Sequence, residues 1–493
     1  MLKATQGNSS TDDLVVQRRR FAGLRNWSID LPATLCLLTG GLLLPNALAV
    51  IGGLWIGVPT RTTAITAYAA VALLCSLLPR TLVLPAFIAA VLIDIIGLVS
   101  HIFFLDLNLI TQNIPAFTHV KIMASPFYKI AVLTNVLFIA ANVAFLTRFR
   151  AQMARGSRIV FGLLLATCLM FDIEANGSTN LDIGPTAGLG KPFESAVRMS
   201  GFDHLTDADR PRRNVLFILV ESLGYLRDPE QRKVLFSAFD DPALKDRFEV
   251  STGTTSFYGP TAYGEMRELC GVRAYYTVMF KDHPPSCLPS AFAERGYRAV
   301  SLHGFTSKFY DRLSWYPKVG FASSYFEGTT QKHYGRRCGG PFVGLCDVDI
   351  AETLSGRLAA AKDPLFVYWL TLNSHVPVRA DEATPRHDCT TGGPFGDPEV
   401  CVMAEIWEDL FDAVNRLALR NPETEILLVG DHAPPLWRRN ARKQFKTDRV
   451  SWIRLTPRGS PIHLAGSANG AFHEPFSEPA NLDALFLRPT LTQ

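Results

Sequence analysis

Asn214-Val215-Leu216-Phe217-Ile218-Leu219-Val220-Glu221 is an unbroken apolar run closed by a carboxylate. Continuous rather than alternating hydrophobicity suits a strand buried on both faces, and such strands belong to parallel sheets covered by helices. Similar strand-like runs recur at Arg298–Leu302, Leu365–Leu372 and Ile426–Val429. Helix-like segments lie between them: Gln231–Phe248, Ala262–Leu269, Leu288–Arg295, Ile350–Ala361 and Pro398–Leu419. This alternation predicts an α/β domain with a mainly parallel sheet over residues 212–493.

The carboxyl end of each run points to chemistry. The four runs lead into Glu221-Ser222, His303-Gly304, Asn373-Ser374-His375 and Gly430-Asp431-His432. In open α/β sheets, ligands bind just beyond the carboxyl ends of the strands. One His or Glu there is usually structural, but four such ends on one edge suggest a metal site. Carboxylate oxygens with an imidazole nitrogen suit zinc or manganese. A nucleophile is expected nearby. The hydroxyl-rich segment Ser251–Glu265 runs into the helical Met266-Arg267-Glu268-Leu269, placing Thr261 at a helix N-terminus, where free N–H groups favour a phosphate. Alone, Thr261 would read as an ordinary helix cap.

The first 175 residues have a different character and hold most of the apolar excess of a 493-residue chain that is 48% hydrophobic. A membrane span needs roughly 20 apolar residues. Leu31–Pro59, Thr62–Pro79, Thr81–Leu105, Ile130–Thr147 and Ile159–Phe171 are read as five spans. Asp94 and His101 interrupt the third; both are read as packing or lipid-handling groups and are left outside the catalytic set. With the N-terminus inside, Arg18, Arg19, Arg20, Arg25, Arg80, Arg148, Arg150, Arg155 and Arg158 fall on the cytoplasmic side, and Asp172, Glu174 and Asp182 lead outward. The expected organisation is a cytoplasmic N-terminus (1–28), a transmembrane domain (29–173), a linker (174–211) and an extracytoplasmic domain (212–493). A net charge of +4 gives no reason to expect a nucleic-acid partner.

Cysteine usage agrees with that placement. Cys36, Cys75 and Cys168 lie in apolar spans, whereas Cys270, Cys287, Cys338, Cys346, Cys389 and Cys401 form three close pairs in the polar half. Local disulfides 270–287, 338–346 and 389–401 are expected, as in an oxidising compartment. A zinc-binding role is disfavoured because no Cys-x-x-Cys pair exists.

Taken together, NVLFILVE (214–221), Pro260-Thr261-x-x-Gly264-Glu265, Asp311-Arg312 with Tyr316 and Gly320-Phe321, Asn373-Ser374-His375-x-Pro377 and Gly430-Asp431-His432 form an ordered set. The set resembles the lipoteichoic acid synthase and phosphoglycerol/phosphoethanolamine transferase group, in the sulfatase-like branch of the alkaline phosphatase superfamily. The resemblance implies Glu221, Thr261, Asp431 and His432 as ligands of one divalent metal, zinc or manganese, with a second metal left open. It makes Thr261 the nucleophile and gives Arg312 and His375 the phosphate and head group. His303 is added from its strand-end position. The implied activity moves a phospho-alcohol head group from a membrane phospholipid to an envelope glycan or lipid through a phosphothreonine, at the bacterial inner membrane. The alternatives are a phospholipid head-group hydrolase and a non-enzymatic membrane sensor. A sulfatase is disfavoured because Cys287-Leu288-Pro289-Ser290-Ala291 lacks the arginine of the formylglycine sequence.

Overall fold

The computed structural model describes residues 29–177, 188–327 and 336–458. The expected cytoplasmic segment 1–28, Asp182 in the linker, and the chain beyond 458 lie outside the described residues. Two compact units are present: Met1–Gly52, Thr60–Ile95 and Thr134–Ser178 form one, and Gly53–Pro59, Ile96–Leu133 and Thr179–Gln493 form the other.

The first unit is helical. Among the described residues, four helices are long and apolar enough to cross a membrane: Leu31–Gly53, Arg80–Ile102, Pro126–Met153 and Arg158–Asn176. Of the five stretches read as spans, four reach that length. Thr62–Leu74 is helical and apolar but has only 13 residues. At ~1.5 Å per residue it reaches roughly 20 Å, short of the ~30 Å hydrocarbon layer. Tyr68, Phe87, Leu146 and Phe161 are buried in this unit's core.

Asp94, costly in an apolar span, has its partners here. The Arg61 guanidinium donates to both of its carboxylate oxygens, at 2.8 and 2.5 Å, and the Tyr68 hydroxyl donates at 3.1 Å. Asp172 accepts from the Arg61 backbone N–H. Removing one member would leave an unpaired charge, which in a buried pair costs about 3 kcal/mol or more. Asp94→Asn is thus expected to lower the melting temperature of the detergent-solubilised chain, whereas the exposed Lys245→Ala should not.

The second unit is built on an eight-stranded sheet. Its strands are β1 (Val215–Val220), β2 (Gly224–Leu226), β3 (Phe248–Ser256), β4 (Arg298–His303), β5 (Ser323–Phe326), β8 (Leu365–Leu370), β9 (Glu425–Gly430) and β10 (Phe445–Pro457), with β6 (Arg337–Cys338) and β7 (Gly344–Leu345) as a separate ribbon. The order is β2-β10-β9-β1-β8-β4-β5, and β3 also pairs with β10. β9, β1, β8, β4 and β5 run parallel; β10 is antiparallel to β9, β2 and β3.

The main helices are α1 (Thr261–Cys270), α2 (Leu288–Glu294), α3 (Arg312–Val319), α4 (Asp347–Ala360) and α5 (Pro398–Arg420). Strand β1 explains why its run is continuous. Leu216, Ile218 and Val220 join one core with Leu354 of α4 and Trp407 and Phe411 of α5. Val215, Phe217 and Leu219 join the other, with Met266 of α1, Phe292 of α2 and Trp315 of α3. Both faces are covered, so no position can be polar.

One expectation needs correction. Gln231–Phe248 is not one helix: Pro229–Leu235 and Pro242–Arg247 are separate short helices, each with an aspartate cap and a proline at its first position, and Phe248 opens β3. Ser251–Ser256 of the hydroxyl-rich segment belongs to strand β3. Gly253 is required there, since an added Cβ would lie 2.4 Å from the Trp452 ring on β10. The three disulfides join the expected cysteines, 270–287, 338–346 and 389–401.

Candidate metal centre

Parallel pairing of β1 with β9 sets Val220 opposite Gly430, so the next residue on each strand, Glu221 and Asp431, emerges beside the other. One donor atom each from Glu221, Asp431 and His432 lies within 4.8 Å of the others. His432 Nε2 stands 3.3 Å from Asp431 Oδ2 and 3.6 Å from Glu221 Oε1. The Thr261 hydroxyl is 3.4 Å from both Glu221 Oε2 and His432 Nε2. A tetrahedral ion with ~2.1 Å bonds needs donor–donor edges of roughly 3.4 Å. The four groups fit one divalent cation.

Three further observations support that fit. Asp431 Oδ2 is buried and has no hydrogen-bond partner, while its Oδ1 accepts the N–H groups of Ser222 and His432. The His432 Nδ1 faces the Ala433 carbonyl at 2.9 Å and so carries the proton, leaving Nε2 free to bind. Burial, then the nearby Asp431 charge, pushes the Glu221 carboxyl well above its usual range. Two carboxylates so close and so dry call for a positive charge between them.

Local backbone shape holds the set together. Ser222 has φ +58°, a left-handed conformation uncommon for serine, and its hydroxyl donates to Glu221 Oε1 at 2.8 Å. Arg267, fully buried on α1, donates to the carbonyls of Gly430 and Asp431 at 2.7 and 3.1 Å. An added Cβ on Gly430 would lie 1.9 Å from the Leu223 carbonyl oxygen. Gly430→Ala must therefore move two backbones at the site. A destabilisation of about 3 kcal/mol or more is expected, measurable as a lowered denaturation midpoint.

The remaining candidate residues gather at an adjoining cavity of about 360 Å³ within the second unit. Glu221, Thr261, His303, Arg312, His375 and His432 all line it. Asp431 is not among the lining residues. His303 and His375 each point Nδ1 at a carbonyl, that of Leu370 at 3.0 Å and of Val376 at 2.9 Å. Burial holds both imidazoles neutral, His375 down to about 4 and His303 well below its ordinary value. Most of the remaining wall is apolar, and much of it comes from Ile96–Leu133, including Phe103, Leu109 and Phe117.

Arg312 is tied more tightly than the sequence suggests. Its Nε and Nη2 donate to Glu265 at 3.2 and 3.1 Å, and the Tyr316 and Tyr368 hydroxyls donate to the same carboxylate. Only Nη1 remains, 3.4 Å from the Phe309 carbonyl. Burial pulls the guanidinium down, but Glu265, Tyr316 and Tyr368 together outweigh it and leave the value raised. Ser222, Glu265 and Arg267 stand inside quoted sequence motifs without an assigned role. Nothing in their spacing reveals one: Glu265 and Arg267 act on residues distant in the chain, and Ser222 ties its neighbour Glu221 to Asp431.

Residues 213–451 match the family model described as Sulfatase. A curated protein of Rhizobium meliloti, provisionally named for cyclic beta-1,2-glucan modification, is 24% identical over 242 residues, 46% of this chain and 36% of that relative's length. The chain thus matches well under two thirds of it. Among solved structures, lipooligosaccharide phosphoethanolamine transferase A from Neisseria meningitidis, an integral membrane protein, is similar over 87% of this chain and 88% of its own, at 12% identity and a TM-score of 0.43. The lipoteichoic acid synthase LtaP from Listeria monocytogenes is similar over 53% of this chain and 72% of its own, at 13% identity and a TM-score of 0.39.

Proposed function

We propose, because residues 213–451 match the Sulfatase family model, that this chain is a membrane-anchored head-group transferase using Thr261 as its nucleophile. The observation that carries the reading is the position of the Thr261 hydroxyl, 3.4 Å from both Glu221 and His432, beside a largely apolar cavity. Glu221, Asp431, His432 and Thr261 would hold one divalent metal, zinc or manganese. When bound, such an ion lowers the pKa of a coordinated hydroxyl and neutralises phosphoryl charge.

The chain's own residues supply the rest. Thr261 Oγ1 forms a bond to the phosphorus of a phospholipid head group as the bond from phosphorus to the diacylglycerol oxygen breaks. Diacylglycerol leaves with the proton lost from Thr261, and the head group stays as a threonine phosphodiester. An acceptor hydroxyl on an envelope glycan or lipid then takes the group and restores the threonine. Neutral His303 and His375, with Nδ1–H committed to carbonyls, offer Nε2 as an acceptor. They suit the ammonium or hydroxyl of a head group better than its phosphate. Arg312, held by Glu265, keeps positive charge at the cavity wall. Four membrane-length helices together with the shorter apolar helix Thr62–Leu74, and three disulfides, support a bacterial inner-membrane location with this domain on the oxidising side.

Intact-mass measurement tests the reading. The full chain, reconstituted with zinc or manganese and vesicles of phosphatidylethanolamine or phosphatidylglycerol, should gain about 123 Da or about 154 Da at Thr261, matching the carried head group. No adduct and no release of diacylglycerol from either lipid would refute it.

A further inference from the structure

We propose that the segment 437–443 docks on anionic phospholipid at the bilayer surface, next to the reaction cavity. The proposal rests on the membrane anchoring in the reading above and not on its chemistry. The segment reads Trp437-Arg438-Arg439-Asn440-Ala441-Arg442-Lys443, an indole followed by four cations. Lys and Arg are ordinarily sparse beside membrane spans on the side away from the cytoplasm, so such a run there asks for a reason.

Contacts within the second unit put this segment at the level of the bilayer surface. The spans Leu31–Gly53, Arg80–Ile102 and Pro126–Met153 each have one end in this unit, which contains Gly53–Pro59 and Ile96–Leu133. The segment touches the chain at all three ends. Arg442 donates to the carbonyls of Ile56 and, at 2.9 Å, Gly57, where the first of these helices stops. The Arg439 stem covers Gly57, since a Cβ added there would lie 2.9 Å from Arg439 Cδ. Between centroids, the Trp437 ring is 5.7 Å from Phe103, 5.3 Å from Phe127 and 6.4 Å from Tyr128. Indole and phenol rings gathered at span ends favour the headgroup layer. Long cationic side chains there lay their stems on apolar surface and keep their heads in water.

The four cations are not equally engaged. Arg438 pairs with Asp397 at 2.6 Å and Glu399 at 3.8 Å, and Arg442 is spent on backbone carbonyls. Arg439 and Lys443 are exposed, and among the described residues neither head group has a partner. They stand four residues apart on the short helix Arg439–Lys443, where like charges repel. Burial, then the Arg439 charge, draws Arg442 down to about 10 against the opposing pull of Glu399, so positive charge prevails locally. A surface of anionic head groups offsets the repulsion, at about five-fold in affinity per cation. A zwitterionic surface carries no net charge to do so, and an acidic protein would match the cations but not the aromatic cluster at the span ends. Trp437 also lines the reaction cavity, so lipid gathered here lies beside the groups that would act on it.

The test titrates the full chain, in nonionic detergent with EDTA, with dioctanoyl phosphatidylglycerol, phosphatidic acid and phosphatidylcholine, read by tryptophan fluorescence and native mass spectrometry. Both anionic lipids should bind roughly ten-fold more tightly than phosphatidylcholine or better, in Thr261→Ala as in the parent chain. Arg439→Gln and Lys443→Gln should each weaken that binding about five-fold, and the double variant about 25-fold. Arg439→Lys and the exposed Lys245→Gln should retain it. Equal affinity for all three lipids, an unchanged anionic preference in the double variant, or displacement by equimolar inorganic phosphate would overturn the proposal. A chain that keeps this preference yet never forms the Thr261 adduct sinks the transferase reading alone.

Discussion

Thr261→Ala is expected to reduce diacylglycerol release by about 10⁴-fold or more while leaving the chain folded. The two halves of that expectation have separate physical sources. Activity is lost because, among the described residues, no other hydroxyl is placed against both Glu221 and His432 at the head of α1: the Ser222 hydroxyl is engaged with Glu221 Oε1 and the Ser374 hydroxyl with the Glu221 carbonyl. The fold survives because the Thr261 hydroxyl makes only two long contacts of 3.4 Å, and α1 is entered through Pro260 without a side-chain cap. Losing such bonds costs about 1 kcal/mol. Thr261→Ser keeps the hydroxyl and should retain measurable release. An alanine variant that still turns over lipid would remove threonine from the mechanism.

Glu265→Gln should have the largest effect on stability, about 3–5 kcal/mol. Glu265 is fully buried and Arg312 almost so, and the carboxylate is the charge that justifies the guanidinium in that environment. Glutamine accepts some of the same hydrogen bonds but leaves the positive charge without a counter-charge, and it strands donors on Tyr316 and Tyr368. The double variant Glu265→Gln/Arg312→Met removes the orphan charge and should recover part of the loss in thermal melting. If Glu265→Gln melts like the parent chain, the pair is not holding α1 against α3 as described. Because Glu265 lies one turn after Thr261 on α1, the pair also fixes the nucleophile's helix against the cavity wall.

The parts of this fold that the sequence made legible are those in which one physical requirement acts locally. Strand β1 is buried on both faces, so its whole apolar run is visible, and the carboxylate that ends it marks the sheet edge. The disulfides are legible because each bridges a short separation, 17 residues at most. Strands β3 and β10 were not, since polar residues recur along both and they are antiparallel partners whose pairing spans about 200 residues of chain. Arg267 reads as one charge among several on a helix, and only folding brings it to the Gly430 and Asp431 carbonyls. The apolar wall of the reaction cavity was hidden for another reason. Ile96–Leu133 holds none of the quoted motifs and reads as the end of one span and the loop before the next.

That wall has a practical consequence for anyone who would cut the protein at its hydropathy boundary. A fragment starting at residue 188 would keep the metal ligands and Thr261 but lose Phe103, Leu109 and Phe117. Its apolar chamber would then open to water on one side. Greasy surface made bare in this way promotes self-association. Such a fragment would still titrate metal normally, yet it would bind and turn over lipid donors poorly.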